Sequence, residues 1–68
     1  MNLFIKKRMI QFVKKFRSET GQLPTLKDLK NSGFSNDEIA LGIKEEVIEQ
    51  FYVTLISGSI VKAFKIKL

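Results

Sequence analysis

Sixty-eight residues make one domain and leave no room for a second, and a domain of that size buries only about 60% of the surface its unfolded chain exposes. The chain contains neither cysteine nor histidine. That excludes disulfides and thiolate metal sites, and it removes the commonest metal ligand and the commonest general base together, so no enzyme, metal or cofactor is expected. The net charge of +5 favours an acidic partner such as nucleic acid.

The N-terminal segment Met1-Asn2-Leu3-Phe4-Ile5-Lys6-Lys7-Arg8 places its apolar residues ahead of its charges, the reverse of a signal peptide. Every apolar run falls short of the ~20 residues of a membrane span. The expected compartment is the cytoplasm, with no membrane partner. Residues 2–19 read as a first helix, with Ile5, Met9, Phe12, Val13 and Phe16 on one face and Ile10 at its margin. Lys6, Lys7, Arg8, Lys14, Lys15 and Arg17 occupy the remainder, and Phe4 is the large apolar residue left without a place. This basic amphipathic helix has the composition of a membrane-surface helix, but the core requires its apolar face. Gly21 stops it and Pro24 prevents its continuation.

A short second helix spans 25–31, opened by Thr25 as N-cap with Asp28 as its capping-box partner and buried through Leu26 and Leu29. Asn31-Ser32-Gly33 ends it in a tight turn, and Phe34 inserts as an apolar anchor. Ser35 caps a third helix over 36–50, with Asp37 and Glu38 complementing the dipole in its first turn. Ile39, Ile43 and Val47 form its apolar stripe, and Gly42 marks a point where it can kink.

From Phe51 the period changes to two. Strands over 51–57 and 60–67 are expected to pair through a two-residue turn, at either Ser57-Gly58 or Gly58-Ser59. Both turns place Phe51, Val53 and Leu55 on one face with Ile60, Phe64 and Ile66, and leave Lys62 as the charged misfit on that face. The predicted class is α+β: three helices followed by a C-terminal β-hairpin.

The turn from Gly21 to Thr25 after a long helix, followed by Leu29, Gly33, Phe34, Ser35, Ile39 and the hairpin, resembles a winged helix-turn-helix DNA-binding domain. In pattern it is similar to that of the SOS-response repressor, and the helical part also looks like the short repeats attached to some homing endonucleases. The winged-helix resemblance implies that the third helix enters the major groove of double-stranded DNA, with Ser35, Asn36 and Lys44 as candidate base contacts. Thr25, Lys27 and Lys30 would lie near phosphates. Ser57, Gly58 and Ser59 would form the wing tip, and Lys62, Lys65 and Lys67 would add charge along the hairpin.

Charge is distributed unevenly. Residues 1–20 carry +5, 21–34 carry +1, 35–50 carry −4 and 51–68 carry +3. A recognition helix bearing Asp37, Glu38, Glu45, Glu46 and Glu49 departs from the family pattern, because carboxylates near phosphates repel. Either only its first turn approaches DNA, with Glu45, Glu46 and Glu49 pointing away, or DNA is met by another face or not at all; in the last case the acidic helix docks a protein and the chain is a non-catalytic adaptor, such as a phage or mobile-element factor engaging a host protein. The leading expectation is a small transcriptional regulator or architectural factor of prokaryotic or viral type, with a homodimer as a further possibility. Exposed Tyr52, Ile56 and Phe4 are candidates for a dimer or partner surface.

Overall fold

Asn2 opens the first helix by accepting the Phe4 amide on its side-chain oxygen at 2.7 Å. In the computed structural model, which describes residues 1–67, that helix (α1) runs Leu3–Thr20. Met9 and Val13 are its buried centre. Gly21, in the left-handed region at φ 73°, ends it by donating its amide to the Arg17 carbonyl at 2.8 Å. On the flank of the buried stripe the Phe12 ring meets Phe16 at 5.8 Å and Phe34 at 5.9 Å between centroids, tying α1 to the turn between the next two helices.

The second helix (α2) is Leu26–Asn31 and the third (α3) is Asn36–Lys44. Each opens with a complete capping box. Thr25 Oγ1 accepts the Asp28 amide while the Asp28 carboxylate accepts the Thr25 amide at 2.9 Å. Ser35 Oγ accepts the Glu38 amide at 3.1 Å while the Glu38 carboxylate accepts the Ser35 amide at 2.8 Å. The two helices also close alike. After α2, Gly33 at φ 99° donates to the Lys30 carbonyl and Phe34 donates to that of Leu29. After α3, Glu46 at φ 61° donates to the Ile43 carbonyl and Val47 donates to that of Gly42. Both are Schellman closures, in which the left-handed residue lets two terminal carbonyls find partners and an apolar residue follows to anchor the turn. Phe34 and Val47 are those anchors, both buried.

The third helix therefore ends six residues earlier than the expected span of 36–50. Val47 and Ile48 are nearly inaccessible to solvent, and Ile48 begins a strand (β1, Ile48–Thr54) instead of adding a turn to the helix. The spacing of Ile39, Ile43 and Val47 carries the helical period across a boundary that tertiary burial sets. β1 pairs antiparallel with β2, Ile60–Ile66, from Ile48↔Ile66 to Thr54↔Ile60.

The connection between the strands is longer than expected. Leu55 donates its amide to the Ser59 carbonyl at 2.8 Å, and Gly58, at φ 91°, donates to the Leu55 carbonyl at 2.9 Å. The loop is thus Ile56-Ser57-Gly58, three residues closed by a left-handed glycine. One extra residue inverts the facial relation of the strands. Phe51 and Val53 share a face with Ala63 and Val61, whereas Phe64 shares its face with Ile48, Gln50, Tyr52 and Lys62. The expected grouping of Phe51, Val53 and Leu55 with Phe64 is overturned by this register.

β2 has a second neighbour. The Phe64 amide donates to the Pro24 carbonyl at 3.0 Å, and Thr25 bridges Ala63 antiparallel. The chain between α1 and α2 thereby lies against the edge of β2 that β1 leaves free, and β2 is the central strand. Phe64, Met9, Leu29, Ile48, Val13 and Val47 fill the core between helices and sheet.

Gly42 is buried in that core rather than serving as a kink. A Cβ at this position would stand 2.8 Å from Met9 Sδ and 3.4 Å from the Ile48 side chain. Gly42→Val is expected to lower the unfolding free energy by about 2–3 kcal/mol through overpacking, despite removing a helix-weakening glycine. Glu46→Gly should act in the opposite direction and raise it by roughly 0.5–1 kcal/mol, because the left-handed position penalises a side chain. Urea denaturation of the two variants beside the parent checks both signs.

Candidate nucleic-acid interface

α3 is short enough that its open side can be stated residue by residue: Asn36, Asp37, Ala40, Leu41 and Lys44 are exposed, while Ile39 and Gly42 face the core. This side carries one acid and one base. Ala40 at its centre leaves room for close approach of a ligand surface. Beside it, Asn36 and Ala40 share a shallow hollow of about 180 Å³ with Gln50, Lys62 and Phe64 of the sheet. A second hollow of about 460 Å³ adjoins it, lined by Thr25, Leu26, Lys27, Leu55, Val61 and Lys62. Leu26 and Lys62 belong to both. The fold therefore gathers Thr25, Lys27, Asn36 and Lys62 at one surface, where the starts of α2 and α3 meet the middle of β2.

The other sequence candidates lie elsewhere or are already engaged. The Ser35 and Thr25 hydroxyls serve the capping boxes, and Thr25 Oγ1 also donates to Asp28 at 2.9 Å. Lys30 is exposed in the last turn of α2, and Lys44 is in the last turn of α3. Ser57 Oγ and Ser59 Oγ meet each other at 3.4 Å in the hairpin loop. Lys65 pairs with Glu49 at 3.5 Å and Lys67 with Glu46 at 3.4 Å, both at the end of the hairpin remote from its loop. Lys65 is also on the face opposite Lys62. The hairpin lysines are thus not one basic stripe.

The acidic cluster is dispersed in the same way. Of the five carboxylates expected along the third helix, only Asp37 and Glu38 lie on α3. Glu45 follows the last helical residue and pairs with the N-terminal ammonium group, Glu46 is in the closing turn, and Glu49 is on β1. An acidic third helix does not exist as a surface. The base of the hairpin is instead a belt of compensated charge.

Arg8, expected with the other cations on the polar side of α1, instead packs half-buried against the α2–α3 turn, a basic position apart from the surface of Lys27 and Lys62. Its guanidinium carbon lies 4.4 Å from the centroid of the Phe34 ring, a cation–π contact that fixes a positive charge beside the α2–α3 turn. With Gln11, Phe12, Lys15 and Ser32 it lines a hollow of about 270 Å³. The available signal was its place on α1, one turn ahead of Phe12 at the margin of the apolar stripe. On the reverse face of the sheet an apolar groove of about 590 Å³ runs between Leu23, Phe51, Val53, Ile56 and Ala63.

No family model, curated protein or solved structure matches this chain. Among the described residues, no helix is long and apolar enough to cross a membrane.

Ser35→Ala is expected to cost about 1 kcal/mol of stability through loss of the α3 cap. Thermal or urea unfolding of the single variant measures it. An unchanged midpoint would show that the α3 capping box contributes nothing to folding.

Proposed function

We propose that the chain is a winged helix-turn-helix protein that binds double-stranded DNA as a transcriptional regulator or architectural factor. The order of elements supports this, as do the short α2, the Gly33 turn and the central β2 flanked by β1 and the Pro24–Thr25 segment. The observation that carries the reading is the meeting of Lys27, Lys62 and Asn36 beside the open, nearly neutral side of α3. The start of α3 would enter the major groove, where Asn36 presents the donor and acceptor that match an adenine edge. Lys27 and Lys62 would take phosphates on either side, with Lys30, Lys44 and Arg8 adding to the field. The charge objection weakens because Glu45, Glu46 and Glu49 are off the helix and each faces a cation. The adaptor alternative loses the acidic helix on which it rested.

The hairpin loop, by contrast, brings no cation to phosphate docking, since residues 50–61 carry no charge; any contact from Ser57 or Ser59 would come from hydroxyl or amide donors. Titration against random duplex at several salt concentrations should give binding whose log–log slope reports several phosphate contacts. Lys27→Ala with Lys62→Ala should reduce that slope by about 2, and Asn36→Ala should cost about 1–3 kcal/mol at a selected site. Lys65→Ala should leave the slope unaltered. A folded sample that fails to bind at low salt, or a slope indifferent to Lys27 and Lys62, overturns the proposal.

A further inference from the structure

The outer edge of β1 is an unfinished sheet. In an antiparallel ladder, alternate residues turn their backbone groups towards the partner strand and the rest turn theirs away. Leu55 bonds Ser59 and Val47 bonds Lys67, so the odd-numbered residues of β1 face β2. Gln50, Tyr52 and Thr54 therefore direct their amides and carbonyls outwards, and among the described residues none of these groups has a backbone partner. Natural edges are blunted by lysine, proline or a bulge; residues 50–54 have none of these, and the pairing with β2 runs without interruption.

The surroundings of the edge are apolar. Tyr52 is 66% and Ile60 68% exposed, Leu55 is open, and Ile56 is fully exposed at the loop. Tyr52 and Ile60 lie on one face of the hairpin and Leu55 on the other, and with Ile56 they leave on the order of 500 Å² of apolar surface uncovered around the edge, near the upper end of what a single-chain surface carries. Every charged side chain lies outside residues 50–61.

We propose that this edge pairs with β1 of a second copy of the chain, antiparallel about a two-fold axis at Tyr52. Three observations select a second copy over another protein. The outward residues Gln50, Tyr52 and Thr54 place an aromatic residue between two polar ones, so Gln50 of each copy falls opposite Thr54 of the other and Tyr52 opposes itself. At +5 per chain, two copies repel across most approaches, and residues 50–61 offer the uncharged one. Antiparallel pairing also carries the loop of each hairpin to the base of the other. There the N-terminus joins Glu45, and α1 leaves Leu3 and Phe4 exposed. The contact is isologous and closes at two copies, and the apolar surface of both copies supplies at most about 1,000 Å², the scale of a weak, concentration-dependent dimer. The pairing does not depend on DNA binding.

The absence of cysteine permits a direct test on the full chain. Tyr52→Cys should give a disulfide-linked dimer under mild oxidation, since directly opposed bonded residues stand about 5.5 Å apart at Cα. Lys14→Cys, exposed on α1, should not. In the parent protein, hydrogen exchange at high concentration should protect the Tyr52 amide as well as those of Phe51 and Val53. Dilution should release Tyr52, with Gln50 and Thr54, and leave Phe51 and Val53 protected. Tyr52→Lys with Ile60→Lys should yield a folded monomer by sedimentation. A parent protein monomeric at every concentration, with a fast-exchanging Tyr52 amide, overturns self-pairing and leaves the edge to a strand from a different protein. Equal cross-linking through Lys14→Cys overturns the two-fold at Tyr52.

Discussion

Everything in this fold is referred to Phe64. Its ring is fully buried, and its amide is held by the Pro24 carbonyl. That one bond makes β2 central, because it joins the strand to the segment between α1 and α2 while the ladder joins it to β1. The helices gain their positions from the same point. Pro24 ends the path of α1 and leads through Thr25 into α2, so the start of α2 is fixed beside β2, with Lys27 near Lys62. A chain of this size has little other core to spend. Loss of packing at Phe64 would release the sheet from both α1 and α2 at once.

The distribution of charge follows from where secondary structure ends. Read as one helix, residues 36–50 form an acidic surface hostile to phosphates. Divided by the turn at Glu46, three of those five carboxylates, Glu45, Glu49 and Glu46, meet the N-terminus, Lys65 and Lys67, and Asp37 and Glu38 stay on α3 with Lys44. What remains on α3 is close to neutral. Such exposed pairs contribute little to stability; their consequence is to cancel charge at the base of the hairpin and leave Lys27 and Lys62 as the positive groups beside α3.

The early part of the chain was legible because its signals are local. Gly21, the Thr25–Asp28 box, Gly33 and Ser35 each announce a helix end through backbone chemistry, and α1 and α2 begin and stop within a residue of expectation. The end of α3 uses the same Schellman closure as α2, but with glutamate where α2 has glycine, and nothing in the residue type declares it. The hairpin was legible as a hairpin and not in register. Two adjoining small residues, Ser57 and Gly58, satisfied a two-residue turn on paper, and only the pull of Phe64 and Ile48 into one core selects three. Among the candidate site residues, those at helix starts were found together, while the lysines of β2 were separated by the alternation of the strand.

The three-residue loop has a bearing on how such a chain can change over generations. Because burial of Phe64 and Ile48 sets which residues pair, the Leu55–Ser59 pair can be closed by two, three or four residues with every strand face kept. An insertion or deletion inside Ile48–Thr54 or Ile60–Ile66 is a different event, since it turns every residue beyond it to the opposite face and puts Tyr52 where Phe51 now lies. The tip of this hairpin can therefore drift in both sequence and length, and that freedom stops within a residue of where the ladder begins.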